Sequence, residues 1–180
     1  MEGRRDALCA AAEFVLAVEE TARSELGMVA TVGNIVANPG AGNVIAGEVS
    51  LSLDLRHGDD GVRERAVESL RETVKGIAAD RGGEDRWQAR QDSGAVPTDT
   101  GLTTLLARAV GDIGYRVERL PSGAGHDAAQ VAEVAPIAML FVRCLAGISH
   151  NPAEAVSAGD VAAAIEVTSR FLKLVAESRG

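Results

Sequence analysis

GNVIAGEVSLSLDLRH, residues 42–57, alternates: Val49, Leu51, Leu53 and Leu55 stand two apart, with Glu48, Ser50, Ser52, Asp54 and Arg56 between and beside them. A strand sends successive side chains to opposite faces, so this period of two predicts a strand over 44–55 with one apolar face. Asp54 and Arg56 then point away from that face. Upstream, the cluster NPGAGN at 38–43 reads as a turn and the β-branched run 28–37 as a second strand. Before it, Leu8, Ala11, Ala12, Val15, Leu16, Val18 and Ala22 recur at near-helical spacing over 6–25, and Gly27 follows as a stop.

Downstream, Asp59 or Asp60 can cap a helix whose inward positions are Val62, Ala66, Val67, Leu70, Val74, Ile77 and Ala78; RGG at 81–83 ends it. A short strand over 86–90 completes the unit. The order helix, strand, strand, helix, strand is that of a two-layer α+β sandwich without its first strand, which raises the expectation of an incomplete chain.

DSGAVPTDTG, residues 92–101, reads as a linker, and the pattern changes after it. A helix over 100–113, a strand over 115–120, the turn SGAGHDA, a short helix, an apolar strand over 136–142, a loop and a last helix follow. Helices alternating with buried strands predict a parallel sheet. In the last helix Ser157 and Asp160 stand in capping-box register, and Val161, Ala164, Ile165, Thr168, Leu172 and Val175 form the expected inward stripe.

Composition narrows the function classes. With aromatics at 3% and apolar residues at 46%, the core is built from Ala, Val, Leu and Ile, which suits helices packed closely on a sheet. A net charge of −8 excludes electrostatic capture of nucleic acid or of an anionic membrane, both of which need a basic surface. Cys9 and Cys144 lie far apart with no CxxC, the pattern of a reduced, cytoplasmic setting. Glu13, Glu19 and Glu20 interrupt the first apolar stretch, which reads as an amphipathic helix rather than a signal segment or a membrane span.

Three stretches carry candidate chemistry. PSGAGHDAAQ, residues 121–130, places small residues before His126, where backbone amides can be aimed at an anion or a developing oxyanion; a plain turn with His126 capping locally is the other reading. GISHNPAE, residues 147–154, puts His150 in a loop before a helix, suited to metal ligation or acid–base work, or simply exposed. Glu154 can orient a histidine or favour the start of the last helix. In the opening stretch, Arg56 suits bidentate binding of a carboxylate, with Asn43 at the start of the same strand, or else forms a surface pair with Asp54. No GxSxG supports a serine nucleophile. GAGHDA matches the GxGxxA form of a dinucleotide fingerprint, but the strand after it is followed by Arg143 and Cys144 where an acidic residue is needed.

GNVIAGEVSLSLDLRH, LPSGAGHDA and GISHNPAE, in this order and separation, resemble the zinc-dependent amidohydrolases of the allantoate amidohydrolase and N-carbamoyl-L-amino-acid hydrolase group, within the aminoacylase and carboxypeptidase-like metallopeptidase superfamily. Ala46 stands where that family commonly has proline, and Arg143–Leu145 departs from its usual loop. The resemblance implies a lid, also the dimerisation domain, over residues 1–92, and the C-terminal segment of a two-metal catalytic domain over 93–180. It makes His150 a metal ligand. It has His126 and Gly125 hold the substrate or its tetrahedral intermediate, and Asn43 and Arg56 grip the substrate carboxylate.

The implied reaction is attack of water on a carbamoyl or ureido carbonyl, with zinc, or manganese, nickel or cobalt on similar ligands, supplying polarisation. The family's other metal ligands and its general base fall in a region preceding the stretch that resembles it. One histidine cannot make a catalytic zinc site, which takes about three protein ligands. The expectation is therefore a chain that neither holds catalytic metal nor turns over substrate alone, completed by a missing N-terminal half in the same or another polypeptide. A non-catalytic, dimer-forming association module is the alternative.

Overall fold

The computed structural model describes residues 3–178, which fold as two compact units, one reaching Ala95 and the other starting at Val96. In the first, helix α1 (Ala7–Ser24), strands β1 (Val29–Asn38) and β2 (Glu48–Arg56) and helix α2 (Asp60–Asp80) follow one another. Asp6 starts α1 by accepting the Leu8 and Cys9 amides, and Asp59 starts α2 by accepting that of Val62. The strands pair antiparallel, from Val29 opposite Arg56 to Asn38 opposite Glu48, with a bulge at Gly33. Along β2 the predicted alternation holds, with Val49, Leu51, Leu53 and Leu55 turned inward.

Phe14, Val18 and Leu70 form the centre of this unit, with Ala30, Val32, Leu51, Leu53 and Leu55 of the sheet packed on them. Of the recurring apolar positions of α1, Ala11 and Val18 are buried together with Phe14, while Leu8 and Leu16 are exposed. The strand expected over 86–90 forms no ladder. Trp87 instead anchors that stretch, meeting Phe14 edge-on at 6.3 Å between ring centroids with the Arg71 guanidinium 5.9 Å above its own ring.

Gly27 turns the chain from α1 into β1 with φ +86°, and a Cβ there would stand 3.4 Å from the His57 ring. His57 ties that turn to the start of α2: its Nε2 lies 3.1 Å from the Leu26 carbonyl oxygen and its Nδ1 3.1 Å from the Asp59 carbonyl oxygen, both placed to accept from the protonated ring. The backbone bonds to Leu26 and then Asp59 raise the imidazole pKa above its ordinary value, with the nearby Glu25 and Asp59 charges adding to the effect. A group whose folded pKa is raised contributes stability that is full below its unfolded pKa and lost as pH rises through the folded value. The urea midpoint of this unit, followed by Trp87 fluorescence, should therefore fall as pH is raised above the ordinary imidazole value of about 6.5, and His57→Gln should remove that fall. An identical fall in the variant would refute the link.

The second unit contains α3 (Thr100–Asp112), the short α4 (Asp127–Val131), a single 3₁₀ turn (Leu145–Gly147) and α5 (Ala158–Glu177). Leu106 and Ala109 of α3 pack against Val167 and Leu174 of α5, with Phe171, Ala138 and Leu140 around them. Ser157 caps α5 as its register predicts, accepting the Asp160 amide at 3.1 Å. The face of α5 is corrected: Val167, Phe171 and Leu174 point inward, whereas Val161, Ile165 and Leu172 of the expected stripe are exposed. The strands expected over 115–120 and 136–142, and the parallel sheet built from them, are not formed among the described residues. A ladder needs a neighbouring backbone; the 136–142 stretch meets Asp99, whose amide donates to the Ile137 carbonyl at 2.8 Å, and at the start of 115–120 the Tyr115 amide donates back to the Val110 carbonyl of α3.

Candidate functional site

Arg56 ends β2 on the face turned away from the helices. Its Nε and Nη2 both donate to the Asp54 carboxylate at 2.7 Å, two residues earlier on the same face. This fork-to-fork bond holds the Asp54 carboxyl below the usual range and raises the guanidinium further above its own. The pair is half exposed on both sides, so it adds little to stability, but it fixes the guanidinium plane. Asn43 lies in the exposed loop joining β1 to β2, at the other end of the hairpin. The nine residues of β2 separate the two ends by about 26 Å. The structure therefore does not bring Asn43 and Arg56 of one copy onto one small ligand.

His126 stands immediately before α4, as the GHDA turn requires, with φ −131° and ψ 152°. Its side chain caps nothing; its ring lies edge-on to Phe141, 6.2 Å between centroids. Together they line an open cleft of ≈ 310 Å³ with Asp127, Ala128, Met139 and Leu140. An imidazole held by an aromatic edge at the mouth of a partly apolar cleft can donate to an anion developing there. Gly125 precedes it on the exposed side, and a Cβ added there would meet nothing. Upstream, the Ser122 hydroxyl donates to the Ala124 carbonyl at 3.0 Å and closes the turn. Phe141, Met139 and Leu140 had no signal in the sequence as cleft residues, because an apolar run is equally the mark of a buried strand.

His150 sits in the left-handed region at φ 56°, in a loop that also holds Ala146 at φ 53°. Glu154 does not orient the imidazole. Its Oε2 accepts the His150 backbone amide at 2.8 Å, while Asn151 accepts that of Ala153. The loop is thus pinned through its backbone and leaves the His150 ring exposed. Among the described residues no three His, Cys, Asp or Glu side chains converge as a metal site. The described residues by themselves do not fit a catalytic metal centre, and the His150 loop brings only one imidazole.

The Burkholderia multivorans amidase of the hydantoinase/carbamoylase family shares the fold, with a TM-score of 0.90 and 36% identity over 97% of this chain and 43% of its own. Allantoate deiminase 2 of Glycine max is 36% identical over 96% of this chain, and the N-carbamoyl-L-amino acid amidohydrolase of Geobacillus stearothermophilus 36% over 93%. The chain spans 41% of the length of each. Residues 5–174 match the description Peptidase family M20/M25/M40, and the chain belongs to that family.

Proposed function

We propose that residues 1–92 serve as the lid and residues 93–180 as the C-terminal catalytic segment of a metal-dependent hydrolase that cleaves non-peptide C–N bonds in N-carbamoyl amino acids or allantoate. Likeness over more than nine tenths of the chain to an allantoate deiminase and to an N-carbamoyl amino acid amidohydrolase carries this reading. In that reaction water adds to the carbamoyl or ureido carbon, the carbonyl oxygen takes up negative charge, and the nitrogen leaves with a proton. His126, at the mouth of its cleft, and the Gly125 amide are the donors assigned to that oxyanion.

Arg56 grips the substrate carboxylate, in competition with Asp54 for the same fork. The length of β2 means that Asn43 meets that carboxylate only from a second copy, which is where a homodimer through the first unit enters the reading. His150 contributes one ligand to zinc or a similar divalent ion. The remaining ligands and the general base are assigned to residues other than those described, so these residues alone bind ligand without turning it over.

The test is titration of the chain with an N-carbamoyl amino acid, followed by ligand-observed NMR. Losing a charge-assisted pair to the carboxylate in Arg56→Ala should weaken binding by about tenfold or more. A second reading, an association module without substrate, is favoured by the two-stranded sheet, whose outer edges are unpaired among the described residues. It predicts a chain that pairs with itself and is indifferent to Arg56→Ala and His126→Ala.

A further inference from the structure

The segment joining the two units is held at both ends. On the first unit, the Ala95 amide donates to both carboxylate oxygens of Asp60, at 3.0 and 3.2 Å. Asp92 pairs with Arg63 at 2.8 Å, and the Arg63 Nε also reaches Asp60 at 3.4 Å. Arg63 is only 14% exposed, so its charge is fixed against α2 rather than waving in solvent. Between these two anchors lies Gly94, where a Cβ would stand 2.8 Å from Asp60 Oδ2, closer than real Cβ contacts come. A side chain at 94 would therefore push the Asp60 carboxylate away from the Ala95 amide.

On the second unit, the Asp99 amide donates to the Ile137 carbonyl and its carboxylate accepts the Leu102 amide at 2.7 Å. Thr98 accepts from the Thr103 hydroxyl at 3.1 Å. Only Val96 and Pro97 lie between the two sets of anchors. The proline ring fixes its own φ and biases Val96 toward extended backbone.

We propose that Asp60 and Arg63 form a clamp that fastens residues 92–95 to the first unit and confines the chain's turning point to Val96–Pro97. A ten-residue stretch with the composition of a loose linker becomes a two-residue connector. The clamp works through one carboxylate that serves two groups, the Ala95 amide and the Arg63 guanidinium, so it opens as a unit when that carboxylate is removed or pushed aside.

Amide exchange of Ala95, measured by NMR on the full chain, tests this directly. Its amide should be protected in the unaltered chain. It should exchange about tenfold faster or more in Asp60→Ala and in Gly94→Ala, with the β1–β2 ladder amides unchanged. Gly94→Ala removes no hydrogen-bonding group, and Asp60→Asn, which keeps one accepting oxygen, should fall between. Exchange of Ala95 at the rate of an unprotected amide in the unaltered chain would overturn the proposal. So would a rate that neither Asp60→Ala nor Gly94→Ala moves while the ladder amides hold.

Discussion

Replacing Leu70 by alanine should destabilise the first unit by about 3 kcal/mol, while Leu16→Ala, one layer out on α1, should cost less than about 0.5 kcal/mol. Leu70 is 1% exposed and packs in one cluster with Phe14 and Val18; Leu16 is 64% exposed. Deleting a buried isobutyl group loses its transfer free energy and leaves a cavity that the sheet residues cannot fully close. The chain's single tryptophan lies on this core, so urea unfolding followed by its fluorescence reads the first unit by itself. Equal losses from the two substitutions would mean that α1 is packed by the face its sequence period suggested and not by Phe14.

The second large effect concerns His126. In a hydrolase reconstituted from this chain and the metal-binding half of a family member, His126→Ala should lower kcat by about a hundred- to a thousandfold, the scale of losing one oxyanion donor. KM should move much less, because the donor acts on charge that develops only in the transition state. The neighbouring cleft residue Asp127, which opens α4, serves as the control. His126→Gln, which keeps a donor, should recover part of the rate. A fall confined to KM would make His126 a ground-state binding group and remove it from the chemistry.

Much of this was legible in the sequence, and the exceptions share a cause. The period-two run of β2, the Asp59 and Ser157 caps, and the histidine at the head of α4 are local features, written in residues a few positions apart. What failed depended on neighbours. α5 carries apolar side chains on two sides, Val161, Ile165 and Leu172 on one and Val167, Phe171 and Leu174 on the other, so periodicity could not choose which packs on α3. The stretches over 115–120 and 136–142 have strand composition, but composition reports fitness for a sheet and not the presence of a partner. For the candidate site, motif spacing singled out His126, His150 and Arg56 one at a time. It could not reveal that Asp54 occupies the arginine fork, that Glu154 binds backbone rather than imidazole, or that Asn43 and Arg56 stand at opposite ends of a strand.

The claim on which the functional account turns is that this chain supplies groups that hold the substrate and not a complete metal centre. The direct measurement is the zinc retained per purified chain after equilibration with the ion and gel filtration, taken with assay of the same sample for ammonia release from allantoate and from an N-carbamoyl amino acid. The account predicts zinc far below one equivalent and no turnover, since a lone imidazole at His150 cannot retain the ion. One or two equivalents of firmly held zinc, together with hydrolysis by the chain alone, would contradict it.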